Sequence, residues 1–453
     1  MRETIVNKQI KGIAIAIAAA LAVYAIALSG LSEQHSRLLG AVVFLVALWT
    51  NEALPLGVVS LLPIALFPAF GIMDGNATAA NYANGIIFLF LGGFMLSLAV
   101  EKTELHKLIA RKLLKIFPAS ARGAIFALSF TSGLLSAVLS NTTTALLLMP
   151  LAHFLTSDAR LKTRLALAIA FGASVGGIIT PIGTPPNLIL FGFLNSQNLP
   201  NISFVGWIAL MFPLAVTMLI ALSLLLSIGA KDMKLTYSLS EWSPSTKEQR
   251  KLALIILFLA ILLLLNSPFE PYFSGLGLNE GSLILFFGLL LFMPGFSFID
   301  WNDSKKIPYE IIFLFGAGFA LSNAFLSTGL DKSAANAMSF FLSFGSLAVM
   351  IAIVFVMSFF AFAVSNTAKA SIALPIVYSL SLQGGFNAEQ LLFAATVCAS
   401  FSFLLPISTP PNAIALSSGA LKVKDMFFYG AIFTLIGSFL LIFAAYFYWT
   451  IFL

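Results

Sequence analysis

The segments "PIGTPPN" (Pro181–Asn187) and "PISTPPN" (Pro406–Asn412) stand 225 positions apart, and they decide how this chain is read. At the same separation "SNT" at Ser140 returns at Ser365, and "IIFLF" at Ile86 returns at Ile311. Gly93–Phe94 and Leu96–Ser97 likewise return as Gly318–Phe319 and Leu321–Ser322. Matches among Ile, Leu and Phe cost little in so apolar a sequence. Two polar motifs held in one register are a different matter, and they mark an internal duplication.

Of 453 residues, 60% are hydrophobic and 9% charged, with a mean hydropathy of +1.01. An ordinary soluble protein carries about 25% charged residues. The charges lie between apolar runs of about 17–25 residues, the length that crosses a bilayer as helix. The runs are continuously apolar rather than alternating, which argues against a barrel and for an all-α polytopic membrane protein embedded in a lipid bilayer. One cysteine, Cys398, excludes a disulfide framework or a cysteine metal cluster. The pI of about 9.3 is assigned to membrane orientation, with no nucleic-acid partner expected. The first run, "GIAIAIAAALAVYAIALSG" from Gly12 to Gly30, has the outline of a signal peptide but is read as the first membrane helix.

The basic residues fall into groups. Three precede the first span (Arg2, Lys8, Lys11), six lie in 101–122, three in 157–164 and five in 231–251. Lys305 with Lys306, and Lys422 with Lys424, form two more groups. Connections 71–84, 195–203 and 267–280 contain no Lys or Arg. The positive-inside rule therefore predicts a cytoplasmic N-terminus and six cytoplasmic basic groups. Segments 101–122 and 157–164 then share a side, so the apolar stretch at about 123–156 must be a re-entrant hairpin with Ser140 near its turn. By the same argument 345–385 is a hairpin entering from the opposite side. The expected architecture is two inverted repeats, 1–230 and 252–453, joined by a cytoplasmic link at 231–251. It comprises about 11 transmembrane helices plus two re-entrant helical hairpins, the plan of many secondary transporters.

Ser, Asn and Thr at a hairpin turn place hydroxyl and amide groups beside the free N–H groups of a helix N-terminus, a favourable position for an anion. The paired prolines of TPPN remove donors, so nearby carbonyls turn away from helical bonding and join polar side chains in an oxygen cage for a small cation. Polar packing between helices is the competing explanation for one copy of each motif; it fits two pairs in register poorly. An intramembrane enzyme is not supported. None of the 18 acidic residues falls in the hairpins, there is no HExxH, and His35, His106 and His153 all sit near span ends. No organic cofactor is expected. A passive channel also fits less well than a carrier, because unlike neutral triplets suit enclosure of a substrate better than a pore ring.

The two SNT triplets, the two TPPN segments and "TNEALPLGVVSLLP" (Thr50–Pro63) resemble the divalent anion/sodium symporter family, over essentially the whole chain. The resemblance implies a secondary active carrier of dicarboxylates such as succinate, malate or fumarate, with citrate or sulfate as alternatives. It implies sodium coupling, a homodimer, and an elevator mechanism with scaffold and transport domains interleaved in sequence. Its substrate contacts fall on Ser140, Asn141, Thr142, Ser365, Asn366 and Thr367, with Thr184, Pro185, Thr409 and Pro410 nearby. Its first sodium site falls on Ser136, Ser140, Asn141 and a carbonyl at Gly183. A bacterial inner membrane is the expected location, from a short chain without a eukaryotic-style extension.

The second sodium site departs from the pattern. Asn366 and the Ser408 carbonyl are present, but Ala361 stands opposite Ser136, and Lys369 stands opposite Thr144. A lysine at the centre of a membrane helix costs about 2.5–3.5 kcal/mol on the insertion scale. Three readings stand side by side: Lys369 replaces a sodium ion, it binds a substrate carboxylate, or its stem snorkels to water. Under the first two, sodium-independent exchange becomes an alternative to symport. Glu52 is read as a structural residue at a span end. The stretch Lys102–Arg122 is read as a connector with an amphipathic helix, Leu105, Leu108, Ile109 and Leu113 on one face.

Overall fold

The computed structural model describes residues 2–235, 245–268, 272–359 and 365–451. Within them every extended regular element is helical. The first part contains α1 (Arg2–Leu28), α2 (Glu33–Asn51), α3 (Leu56–Ala69), α4 (Gly75–Ala80), α5 (Gly85–Lys102), α6 (Leu105–Leu114), α7 (Ala121–Ser136), α8 (Asn141–Phe154), α9 (Ala159–Gly176), α10 (Pro185–Ser196) and α11 (Phe204–Ser227). The second contains α12 (Lys247–Asn266), α13 (Glu280–Leu290), α14 (Tyr309–Thr328), α15 (Leu330–Ala337), α16 (Ser346–Phe359), α17 (Asn366–Gly384), α18 (Ala388–Ala399), α19 (Pro410–Ser417) and α20 (Val423–Phe443).

Among the described residues, five helical stretches are long and apolar enough to cross a membrane alone: Gln9–Leu28, Gly75–Lys102, Phe204–Ser227, Tyr309–Thr328 and Val423–Ile451. Much of the remaining apolar length is broken in pairs, α7/α8, α9/α10, α16/α17 and α18/α19, each pair interrupted at SNT or before TPPN. The breaks have local causes. Ser140 and Ser365 take extended backbone angles and cap α8 and α17 by accepting from Thr143 N (3.0 Å) and Ala368 N (3.3 Å). Thr184 and Thr409 are extended too, and each precedes a proline at the first helical position, where the missing N–H is harmless.

The two parts also match where no motif repeats. Connector α6 starts after Glu104 at φ 56°, and α15 starts after Gly329 at φ 78°, both in the left-handed region and 225 positions apart. The buried residues of α6 are Leu105, His106, Ala110 and Leu114. Ile109 is exposed, because apolar residues at a membrane surface serve two sides, protein and lipid. His106 is buried and its Nδ1 bonds Val100 O at 3.0 Å. Glu52 ends α2 at φ 52° with its side chain exposed.

Helix α1 packs on α2, α3 on α14, and α5 on α13. The broken helices pack on one another, with α9 touching α7, α8 and α19. Backbones meet closely there: a Cβ on Gly176 would lie 2.0 Å from Gly133 O, so α7 and α9 require glycine at this crossing.

Long-range hydrogen bonds join the connections at two sets of loops. At one, Thr156 Oγ1 donates to Lys234 O (2.7 Å), Gln249 Nε2 to Thr103 O (2.9 Å), Thr163 Oγ1 to Ala420 O (2.8 Å), and Lys102 pairs with Asp303 (2.5 Å). At the other, Ser267 Oγ donates to Ser203 Oγ (2.8 Å), Phe204 N to Glu280 (2.7 Å), and His35 Nε2 to Thr328 O (2.8 Å). The first set lies in or next to the lysine- and arginine-rich segments; the second joins segments poor in them.

Candidate functional site

Each SNT helix packs against the TPPN helix of the other half: α8 against α19, and α17 against α10. The site is therefore built from both copies. Ser140, Asn141, Thr142, Ser365 and Asn366 are half-buried, and Thr367, Thr184 and Thr409 are buried. Pro185 is half-buried and Pro410 exposed.

The loops before TPPN are held by one repeated device. Asn187 Nδ2 donates to Gly177 O (3.1 Å) and Thr180 O (2.9 Å). Asn412 Nδ2 donates to Ser402 O (2.8 Å) and Leu405 O (3.1 Å), the same two positions displaced by 225. The final Asn of TPPN thus pins the carbonyls that its prolines leave without helical partners.

At the first helix tip the Asn141 amide is 2.5 Å from Ser136 Oγ, 3.2 Å from Ala173 O and 3.3 Å from Gly183 O. With its nitrogen toward this ring it donates to all three. With its oxygen turned there, four oxygens converge, a donor set suited to a small hard cation. Two glycines make the ring possible. A Cβ on Gly177 would lie 2.9 Å from the Asn141 side chain and 3.1 Å from Gly183 O, and one on Gly183 would lie 2.5 Å from Gly177 O. The structure thus brings together Ser136, Asn141 and Gly183. Ser140 bounds the tip, but its Oγ is engaged by Thr143 N and donates to Thr143 Oγ1 at 2.9 Å. The Ala173 carbonyl has no sequence signature and was not among the expected ligands.

The second tip is different. Lys369 is buried, 6% exposed, so it does not snorkel to water. Its Nζ donates to Ser402 Oγ at 2.9 Å, and Ser402 Oγ donates to Asn366 Oδ1 at 2.6 Å. Ser402 was not singled out from the sequence, although the 225-residue register places it opposite Gly177. Ser408, opposite Gly183, keeps a buried hydroxyl without a partner. Ala361 lies outside the described residues. Among the described residues no group of three or more His, Cys, Asp or Glu is arranged to hold a metal ion.

Known transporters resemble this chain over most of its length. The citrate transporter family model matches residues 44–398. The sodium-dependent dicarboxylate transporter SdcS of Staphylococcus aureus is 30% identical over 432 residues, covering 88% of this chain and 83% of that one. SdcS of Staphylococcus saprophyticus is 29% identical over 429 residues, covering 87% and 82%. The fold is similar to that of the Alcanivorax borkumensis YdaH transporter, with a TM-score of 0.59 at 15% identity, covering 88% of this chain and 97% of that one. Neisseria gonorrhoeae MtrF gives a TM-score of 0.55 at 13% identity, covering 82% of each chain. With a family model matched over most of its length and relatives aligned nearly end to end, this chain belongs to the divalent anion/sodium symporter family of membrane transporters.

Proposed function

We propose that this chain is a secondary active carrier of four-carbon dicarboxylates, coupled to sodium. The observation that carries the reading is the interlocked pair of capped helix tips, each packed on the other half's TPPN helix. The free N–H groups of α8 and α17, with Asn141, Thr142, Asn366 and Thr367, suit the two ends of a dianion. The ring of Ser136, Asn141, Ala173 and Gly183 suits sodium. The names of the Staphylococcus relatives favour dicarboxylate over citrate, and the name of the family model keeps citrate as the second substrate.

In this reading the halves are inverted repeats, and α7/α8 and α16/α17 are the re-entrant hairpins. Counting α9/α10 and α18/α19 each as one broken span gives about 11 crossings. The basic end faces the bacterial cytoplasm. The body of broken helices is the transport domain, and it slides against a scaffold that includes α5 and α13 and forms the contact of a homodimer.

The test is uptake of radiolabelled succinate into proteoliposomes. An inward sodium gradient should raise the initial rate, and unlabelled succinate and malate should compete. Uptake that ignores the gradient but requires preloaded dicarboxylate would replace symport with exchange. Uptake of citrate without succinate would change the substrate.

A further inference from the structure

We infer that Glu280 is a positioning residue for transport, a latch that holds the broken helices against the scaffold in the arrangement seen here. It acts through the free N–H of Phe204 at the start of α11. The inference rests on the sliding reading above and names what sets the resting point of the slide.

The two partners belong to different sets of helices. Helix α11 packs on α7, α9 and α20, whereas α13 packs on α5. Phe204 is the first residue of α11 and Glu280 the first of α13. The first N–H groups of a helix have no partner within it, and they favour a negative charge. The Glu280 carboxylate meets both needs by accepting from Phe204 N at 2.7 Å. Its own place is fixed from behind. Asn266, the last residue of α12, donates from Nδ2 to Leu278 O (2.9 Å) and accepts at Oδ1 from Leu278 N (2.8 Å). Asn279 then caps α13 by accepting from Ser282 N at 2.8 Å. Beside the latch, Ser267 Oγ donates at 2.8 Å to Ser203 Oγ, the N-cap of α11.

Next to this bond the two sets stand apart. A cavity of about 780 Å³ opens between them, with Leu89 and Leu285 on one side and Leu188, Phe191 and Asn195 on the other. Where packing is interrupted, a hydrogen bond to a carboxylate matters more, since such bonds are roughly twice as strong as neutral ones. The latch also has no counterpart in the other half. The helix pair itself is repeated, α3 on α14 matching α13 on α5. In the 225-residue register, however, Pro55 stands opposite Glu280 and Tyr429 opposite Phe204. Pro55 carries no carboxylate, and Tyr429 lies inside α20, where its N–H is taken up by the helix. Sliding therefore breaks the Glu280 bond, and the mirror position offers none in exchange. The empty carrier is biased toward the arrangement seen here.

The experiment measures the distance between the two sets in reconstituted protein by pulsed electron paramagnetic resonance. Spin labels are placed at Asn195→Cys on α10 and Ser282→Cys on α13, both lining the cavity; Cys398 is fully buried, out of reach of the label. Without substrate this labelled parent should show one main distance and a minor second one. Glu280→Ala should move the ratio about tenfold or more toward the second, as loss of a hydrogen bond to a charged group does. Phe204→Pro should do the same, because proline at the first helical position removes the N–H and otherwise suits that place. Phe204→Ala keeps the N–H and Glu280→Gln keeps an acceptor, so both should stay close to the parent; they separate the bond from packing and folding. The double change Glu280→Ala with Phe204→Pro should move the ratio no further than either alone, since both cut one bond.

An unchanged ratio in Glu280→Ala or Phe204→Pro would overturn the inference, as would additive shifts in the double change. Sodium and succinate are then added to the parent. If they move the ratio and the variants do not, the slide stands and the latch falls; if nothing moves it, both fall. Succinate uptake is measured on the same vesicles. Its absence would strike the dicarboxylate reading, while the label distances still decide the latch.

Discussion

The two helix tips have the same backbone plan and opposite chemistry. Both begin at a Ser-capped Asn, both face a loop pinned by the Asn of TPPN, and both occupy equivalent places in the repeat. The first concentrates main-chain oxygens, because Gly177 and Gly183 have no Cβ to hold the chain segments apart. The second fills that space with hydroxyls and an ammonium. Duplication thus preserved the capped, broken helices while the side chains at each tip diverged.

The sharpest way to break this comparison is to write the second tip into the first. Gly183→Ser introduces a Cβ at 2.5 Å from Gly177 O, a contact that forces the ring open. Overpacking of this kind costs about 1–3 kcal/mol, so apparent sodium affinity should fall about tenfold or more. Gly177→Ser should act in the same direction. The mirror change, Ser408→Gly, removes a hydroxyl without a partner and should alter succinate affinity by less than about twofold. Sodium titration of succinate uptake reads all three variants. Equal effects at Gly183 and Ser408 would mean that the tips are chemically equivalent after all.

A second, smaller effect tests what the tips share. Asn187→Ala and Asn412→Ala each remove two buried hydrogen bonds to loop carbonyls. At about 1 kcal/mol per bond, with carbonyls left unpaired, each should cost about 2–3 kcal/mol. Thermal melting in detergent should therefore drop by similar amounts in the two variants. A large difference would show that one loop is held by other contacts and that the structural repeat is only approximate.

Much of this was legible in the sequence because polar residues are scarce there. In so apolar a chain, SNT and TPPN stand out, and two copies at one separation carry the internal repeat and the broken helices. Membrane character followed from composition. What stayed hidden has physical reasons. The Ala173 carbonyl is main chain, and any residue there would supply it. Ser402 lies outside both motifs and 33 positions from Lys369, so its role depends on the path of the chain between them. The repeat register does point to it, as the residue opposite Gly177. Which side of α6 is buried depends on its neighbours, because lipid and protein both reward apolar surface, and periodicity alone does not say which contact lies on which side.

The smallest effect expected lies outside both tips, and it sharpens the comparison by separating stability from coupling. Lys102, at the end of α5, pairs with Asp303 just before α14 at 2.5 Å, with Asp300 at 3.7 Å. The Lys102 ammonium and the Asp300 N–H hold the Asp303 carboxyl below its ordinary range. Because the folded-state value is depressed, this contribution is present above the carboxyl's unfolded value and is lost as pH falls through the lower, folded one. The lysine is well exposed, so the pair is screened and is worth at most about 1 kcal/mol. Lys102→Ala should therefore lower the melting temperature slightly at neutral pH, and the difference from wild type should vanish in acid. Sodium and succinate affinities should be those of the wild type in both conditions. A change in sodium steepness from this distant cut would mean that the basic end communicates with the Asn141 tip, and that the two tips are not the sole determinants of coupling.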